Sequence, residues 1–344
     1  MSIDEDFPSL LKRLVEGQSL SADVSLRAFA AIMAGEVSET RMGAFLTALA
    51  LREPTVAELA GAARAMRAAM HTVAATPDAI DLCGTGGDGH GTLNVSTAAS
   101  FVVSACGVPV AKHGNRNMSS KSGAADVLEA LGIRIDLSPQ QAGICLAETG
   151  LCFLFAPLYH PAMKHVAPVR KDLGFRTVFN LLGPLCNPAR VRRQLLGVFA
   201  ERWLEPVAGV LAELDVERAW VVHGRDGMDE LTITGASLVV EVTGGKTRRF
   251  EVEPEQIGFA RTSLDQVKGG DAVYNARELE QLLDGHGSIA YRNIVNLNSA
   301  AALMVAGKAG SLEGAAELAR QALHDGRARS KLEQLRTVTQ RLAA

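Results

Sequence analysis

The sequence predicts an α/β protein, with a small all-helical domain followed by a larger domain around a mainly parallel sheet. Three observations predict it. Residues 1–75 carry apolar residues at helical spacing. Thr76-Pro77-Asp78 then breaks the helices. From Ile80 onward short apolar runs alternate with helical stretches, the rhythm of βαβ units. At 344 residues the chain is also longer than one core usually holds, so two units are expected.

The first 75 residues read as four helices. Leu10, Leu11 and Leu14 mark the first, and 21–35, 39–51 and the alanine-rich 55–70 follow. Ser38 and Thr55 are the expected N-caps, and Glu58, three after Thr55, completes a capping box. Phe45, Ala48 and Leu49 repeat at the spacing of a bundle face. Strands are expected at 79–83, 108–112, 133–136, 151–156, 194–199 and 218–223, with helices at 121–131 and 138–148 among them. Residues 157–193 interrupt this rhythm with basic, helix-like text and are expected to pack back on the N-terminal helices. Residues 232–252 read as short edge strands and 275–342 as helices. The expected division is 1–75 for the helical domain, and 76–156 with 194–344 for the α/β domain.

Composition narrows the function. The chain is 47% hydrophobic and 21% charged, ordinary for a globular enzyme, and its net charge of −3 gives no overall pull toward nucleic acid or an acidic membrane. Cys83, Cys106, Cys145, Cys152 and Cys186 form no C-x-x-C pair, which points to reduced thiols in a cytoplasmic protein. The acidic start MSIDEDFPSLLKR lacks the order of a secretion signal, and no unbroken apolar run approaches the ~18 residues of a membrane span.

The chemistry concentrates in Asp81–Gly132. An apolar run, 79–83, enters a loop with glycines at 84, 86, 87, 89 and 91, and Asn94-Val95-Ser96-Thr97 opens the next helix. A second strand leads to Lys112-His113-Gly114-Asn115-Arg116, and Ser119 and Ser120 are expected to open a further helix. Strand ends and helix N-termini thus deliver glycine amides, hydroxyls and two cations, an inventory suited to a ligand with several phosphates. No catalytic nucleophile is visible.

Each motif also has a plainer reading. Gly84-Thr85-Gly86-Gly87-Asp88-Gly89 matches the dinucleotide fingerprint G-x-G-x-x-G, but the helix is delayed to Asn94 and the next strand ends in Lys112 rather than an acid. One N-cap would suffice for the helix at Asn94, and three capping groups exceed that need. Asp229-Glu230 follows a strand and a turn, where such a pair is often only solvated. If the strand joins the same sheet, the pair suits magnesium, which takes one or two carboxylates plus phosphate oxygens. His160 and His165, five apart, do not form a zinc pair and read as packing or capping residues. Lys164, Arg170, Lys171 and Arg176 read as a solvated basic segment, one of whose members could hold a substrate carboxylate.

Taken together, GTGGD at 84–88, NVST at 94–97, KHGNR at 112–116, SSKSG at 119–123 and DVLEALG at 126–132 resemble the anthranilate phosphoribosyltransferase family, within the nucleoside phosphorylase-like transferases. The blocks at 160–188, 228–230 and 269–276 extend the resemblance over essentially the whole chain. It implies that fold, a homodimer and Mg²⁺, as two ions. It implies transfer of ribose 5-phosphate from phosphoribosyl pyrophosphate (PRPP) to the amine of anthranilate, in tryptophan biosynthesis. Gly84, Gly87, Asp88, Thr92, Asn94, Val95, Ser96, Thr97, Lys112, His113, Gly114, Asn115, Arg116, Ser119 and Ser120 would surround PRPP, beside Ala124, where the family often has serine. Ser96, Asp229 and Glu230 would hold magnesium, and Asn115 and Arg170 would contact anthranilate. Lys112 and Arg170 would act electrostatically, with no acid or base. A pyrimidine nucleoside phosphorylase and a non-enzymatic nucleic-acid-binding paralogue of the fold are the rival expectations.

Overall fold

The computed structural model describes residues 3–116 and 122–343. Helices α1 (Ile3–Val15), α2 (Ala22–Ala34), α3 (Glu39–Arg52) and α4 (Val56–Ala69) are the four that periodicity predicts. Ser38 caps α3, and Thr55 with Glu58 closes the capping box of α4. Glu58 is also buried, where it accepts from Leu20 N at 2.8 Å and pairs with Arg52. One carboxylate therefore caps a helix and ties down the chain before α2.

The sheet comprises β1 (Ile80–Gly84), β2 (Val110–Gly114), β3 (Leu151–Phe155), β4 (Arg193–Gly197), β5 (Arg218–Gly224), β6 (Ser237–Thr243) and β7 (Lys246–Val252). Their order is β3-β2-β1-β4-β5-β6-β7. The first five run parallel and the last two antiparallel. The β6–β7 hairpin follows from a two-residue turn, Gly244-Gly245, whose φ values of 55° and 74° suit a tight hairpin.

The remaining helices are α5 (Val95–Ala105), α6 (Ala124–Ala130), α7 (Pro139–Thr149), α8 (Ala156–Tyr159), α9 (Ala167–Leu173), α10 (Phe179–Leu185), α11 (Leu204–Glu213), α12 (Ala272–Leu283), α13 (Ile289–Val305), α14 (Leu312–His324) and α15 (Arg327–Ala343). The period of two along the buried strands sorts them into two cores. Leu82, Leu195 and Trp220 face a core shared with α5–α7 and α12–α15. Cys83, Leu196 and Val221 face the other, shared with α1–α4 and with Val166, Val169 and Phe179 of the 157–193 segment.

Two local expectations are corrected. Residues 133–136 form no strand: Ile133, Ile135 and Leu137 are buried and Arg134 and Asp136 exposed, as a strand would have them, but no ladder forms. The segment leans on α15 instead, with Arg134 N donating to Thr339 Oγ1 at 3.2 Å. Alternating burial needs only an apolar surface beneath, whereas a strand needs a neighbour with free backbone groups. The helix expected from 121 begins at Ala124, because Asp126 turns back to accept from Gly123 N at 2.9 Å.

Candidate active site

Strands β1, β2, β4 and β5 all end in glycine, at 84, 114, 197 and 224. They end at the carboxyl edge, where parallel sheets bind ligands. Gly84 and Gly197 are direct partners in the ladder. A Cβ on Gly84 would lie 2.4 Å from Asp229 Oδ2, and one on Gly197 would lie 1.5 Å from the Asp229 carbonyl oxygen. The two glycines therefore form a seat with room for the Asp229 backbone and carboxylate, and for nothing else.

From that seat Asp229 Oδ2 accepts from Gly86 N at 2.6 Å. Glu230 Oε1 accepts from Ser96 N at 3.1 Å, at the first turn of α5. Lys112 is buried, and its Nζ donates to the Leu82 carbonyl at 2.6 Å and to Ser96 Oγ at 3.1 Å. Ser96, Lys112, Asp229, Glu230 and the glycine loop thus converge, although they come from four separate parts of the chain. Burial raises the Asp229 carboxyl well above the usual range, and the neighbouring Asp88 charge adds to it. Burial raises Glu230 too, with Asp229 as the next cause.

This donor set fits a hard divalent cation. Among the described residues no group of three or more His, Cys, Asp or Glu side chains makes a ready cage. Magnesium does not need one, since it keeps waters and phosphate oxygens in its shell. Crowded, poorly solvated carboxylates are groups whose ionised form a cation would stabilise.

The other expected residues divide. Asn94 occupies the N-cap position of α5 without a capping side-chain bond. Its Oδ1 accepts from Asn275 Nδ2 at 2.9 Å and its carbonyl from Tyr291 Oη at 3.3 Å. Val95 and Thr97 are buried, and Thr92 bridges to Lys268. Asp88 Oδ1 accepts from His90 N at 3.1 Å. His113 follows Lys112 in the strand, so its ring lies on the opposite face, 3.2 Å from His160 Nε2. Burial pushes its pKa down to about 3, with His160 as the next cause. Gly114 lies against the Phe153 ring and the Ala124 methyl. Asn115 and Arg116 are exposed, and Arg116 pairs with Asp126 and Glu129, both on α6. Arg170 points to Asn180 Oδ1 at 3.4 Å and lies 5.7 Å over Phe179. Ser119 and Ser120 lie outside the described residues.

A helical bundle domain of a glycosyl transferase family matches residues 8–70, and the a/b domain of such a family matches 76–329. Anthranilate phosphoribosyltransferase of Rhodopseudomonas palustris (strain BisB18) is 52% identical over 334 residues, 97% of this chain and 98% of that protein. That of Bradyrhizobium diazoefficiens is 52% identical over 97% of this chain and 99% of its own length. The chain belongs to the anthranilate phosphoribosyltransferase family. Among solved structures of that family, the Thermus thermophilus enzyme is 44% identical, with a TM-score of 0.91 over 96% of this chain and 99% of its own. The Saccharomyces cerevisiae enzyme in complex with PRPP and Mg is 27% identical, with a TM-score of 0.89 over 98% of both chains. The same yeast enzyme with 4-fluoroanthranilate gives 26% and 0.88, again over 98% of both chains.

Anthranilate phosphoribosyltransferase is thus the family supported over the rival phosphorylase and nucleic-acid-binding expectations. Several residues of this family member were not placed by the sequence. Thr85 Oγ1 accepts from Phe199 N at 3.0 Å, and Arg176 donates to the Gly87 carbonyl. Asn275 lies within GGDAVYNA, and that block was the available signal for it. Nothing local marked Phe199.

Proposed function

We propose that this chain transfers the 5-phosphoribosyl group of PRPP to the amine of anthranilate and releases pyrophosphate, a step of tryptophan biosynthesis. The single observation that carries the residue roles is the meeting of Lys112, Ser96, Asp229 and Glu230 at the carboxyl edge beside the glycine loop. The ribose C1–oxygen bond to pyrophosphate breaks, a C1–nitrogen bond forms, and the amine proton leaves to solvent. An aromatic amine is already neutral near pH 7, so no strong base is demanded. What the site must supply is stabilisation of departing negative charge and alignment of the two reactants.

Loop amides around Gly84, Gly87 and Asp88, with Thr92, Asn94–Thr97, the Lys112–Arg116 segment and Ser119 and Ser120, bind the donor in this reading. Lys112 holds a fixed positive charge beside Ser96, where pyrophosphate would lie. Asp229, Glu230 and Ser96 would hold magnesium, as two ions, and bound magnesium would neutralise pyrophosphate charge as a Lewis acid. Arg170 pairs with the anthranilate carboxylate, and Asn115 contacts the same substrate. Ala124 presents only a methyl group where a serine could add a hydroxyl. The domain division at 75/76, a homodimer and a cytoplasmic location belong to the same proposal. No helix among the described residues is long and apolar enough to cross a membrane.

The deciding experiment follows the loss of anthranilate fluorescence with PRPP and Mg²⁺, beside a chelator control. Turnover that stops with chelator and returns with Mg²⁺ supports the proposal. Anthranilate left unconsumed with both substrates and Mg²⁺ present would sink it.

A further inference from the structure

Arg176 lies between the glycine loop and the chain that leaves β4, and touches both. Its guanidinium donates to the Gly87 carbonyl and rests 4.4 Å over the Phe199 ring. Phe199 N donates to Thr85 Oγ1 at 3.0 Å, and Thr85 N donates to the Gly197 carbonyl at 2.9 Å. The glycine loop is therefore gripped at residues 85 and 87 from one corner. On the other side, Thr177 N donates to Asn180 Oδ1 at 3.0 Å. The same oxygen receives Arg170. One amide oxygen thus joins the strap that carries Arg176 to the guanidinium assigned to anthranilate.

The loop needs such a grip. Gly86, Gly87, Gly89 and Gly91 have φ of 67°, 78°, 80° and 59°, and glycine loses more conformational freedom on ordering than any other residue. Untethered, this backbone would visit many shapes, few of which aim its amides at one ligand. The grip also closes on bare backbone: a Cβ on Gly87 would lie 3.1 Å from Arg176 Nη2 and push the guanidinium away. Stacking on Phe199 holds the planar cation in place while its N–H groups point at the loop.

We infer that Arg176 is a positioning residue that latches the glycine loop in its donor-binding shape and links that shape to the segment bearing Arg170. This rests on the donor and acceptor assignments proposed above. The latch acts before donor arrives, so its removal falls on donor binding more than on acceptor binding.

The test compares Arg176→Ala, Arg176→Lys and Phe199→Leu with the unmodified chain, by two-substrate kinetics and by hydrogen exchange of loop amides 85–91 without ligand. Arg176→Ala is expected to raise the KM for PRPP about tenfold, the scale of one charge-assisted hydrogen bond partly open to water, with a smaller change for anthranilate. Its loop amides exchange faster, and lysine restores part of both effects. Phe199→Leu moves both in the same direction by less. Unchanged PRPP saturation together with unchanged loop exchange overturns the latch. So does a rise confined to the anthranilate KM, which would make Arg176 a carboxylate ligand. If the unmodified chain turns over neither substrate, the functional proposal fails, while loop exchange still decides the latch. A protein in which Arg176→Ala alone does not fold is tested through Arg176→Gln and Phe199→Leu by the same readouts.

Discussion

Asp229 and Glu230 are held where two carboxylates are least comfortable. They are poorly solvated and adjacent in sequence, Asp229 is also close to Asp88, and both have raised pKa values for those reasons. A carboxyl whose pKa is raised by folding contributes stability that is present below its unfolded pKa and lost as pH rises through the folded one. Without a cation, then, the site should weaken the fold as pH rises through neutrality. The doubly neutralised variant Asp229→Asn with Glu230→Gln should lose that dependence in thermal denaturation and melt no lower than the parent at neutral pH. Turnover of the same variant should fall by at least about a hundredfold, the scale of losing a charge-stabilising group. In the parent, the Mg²⁺ concentration for half-maximal rate should rise as pH falls, because protons compete for the same oxygens. Arg170 makes a second prediction at this scale. Arg170→Ala should raise the KM for anthranilate about tenfold or more and the KM for PRPP by much less, as a lost pairing with one carboxylate would. Equal effects on both substrates in steady-state kinetics would remove Arg170 from the acceptor role.

At the scale of the element, the β1–β4 pair matters most. Its last residues are Gly84 and Gly197, and both must lack a side chain for Asp229 to sit against them. Gly197→Ala would place a methyl 1.5 Å from the Asp229 carbonyl oxygen, a distance no rotamer can relieve. The Asp229 backbone must move, at a cost of about 1–3 kcal/mol in the manner of core overpacking. A lowered denaturant midpoint together with lost activity is expected, and a variant with normal stability and turnover would show that the seat is not needed. The 133–136 segment gives the contrasting lesson. Its alternation is real, but strand identity depends on a partner, which periodicity does not report.

For the whole molecule, the sheet separates two cores, and the acceptor side depends on the one built from distant sequence. Phe179 of α10 meets Phe29 of α2 edge-on at 5.7 Å, and Phe29 meets Phe45 of α3 at 5.5 Å. Phe179 also lies beneath the Arg170 guanidinium. Phe179→Ala should therefore destabilise the protein by about 3–5 kcal/mol in denaturant unfolding. It should also raise the KM for anthranilate more than that for PRPP, because the cavity opens under Arg170. A loss below about 1 kcal/mol would mean that the helical domain and the 157–193 segment are not packed as one body.

The sequence alone determined the kinds of elements and the chemistry of the loops. Helical spacing, strand runs, capping residues and a glycine-rich stretch are written within a few residues of one another, and local backbone preferences suffice to express them. The whole-chain resemblance added a family, with its substrates and metal. Only the tertiary structure decided which groups meet. Lys112 and His113 are neighbours in sequence, yet strand pleating sends one toward Ser96 and the other toward His160. Arg116, a cation expected beside the donor, pairs in this structure with Asp126 and Glu129. Asp229 finds Gly84 and Gly197, and Arg176 finds Gly87, because β1 and β4 lie side by side while the 157–193 segment folds back between them in sequence. Those meetings depend on sheet order and on steric room at a strand end, and neither is a property of any short stretch of chain.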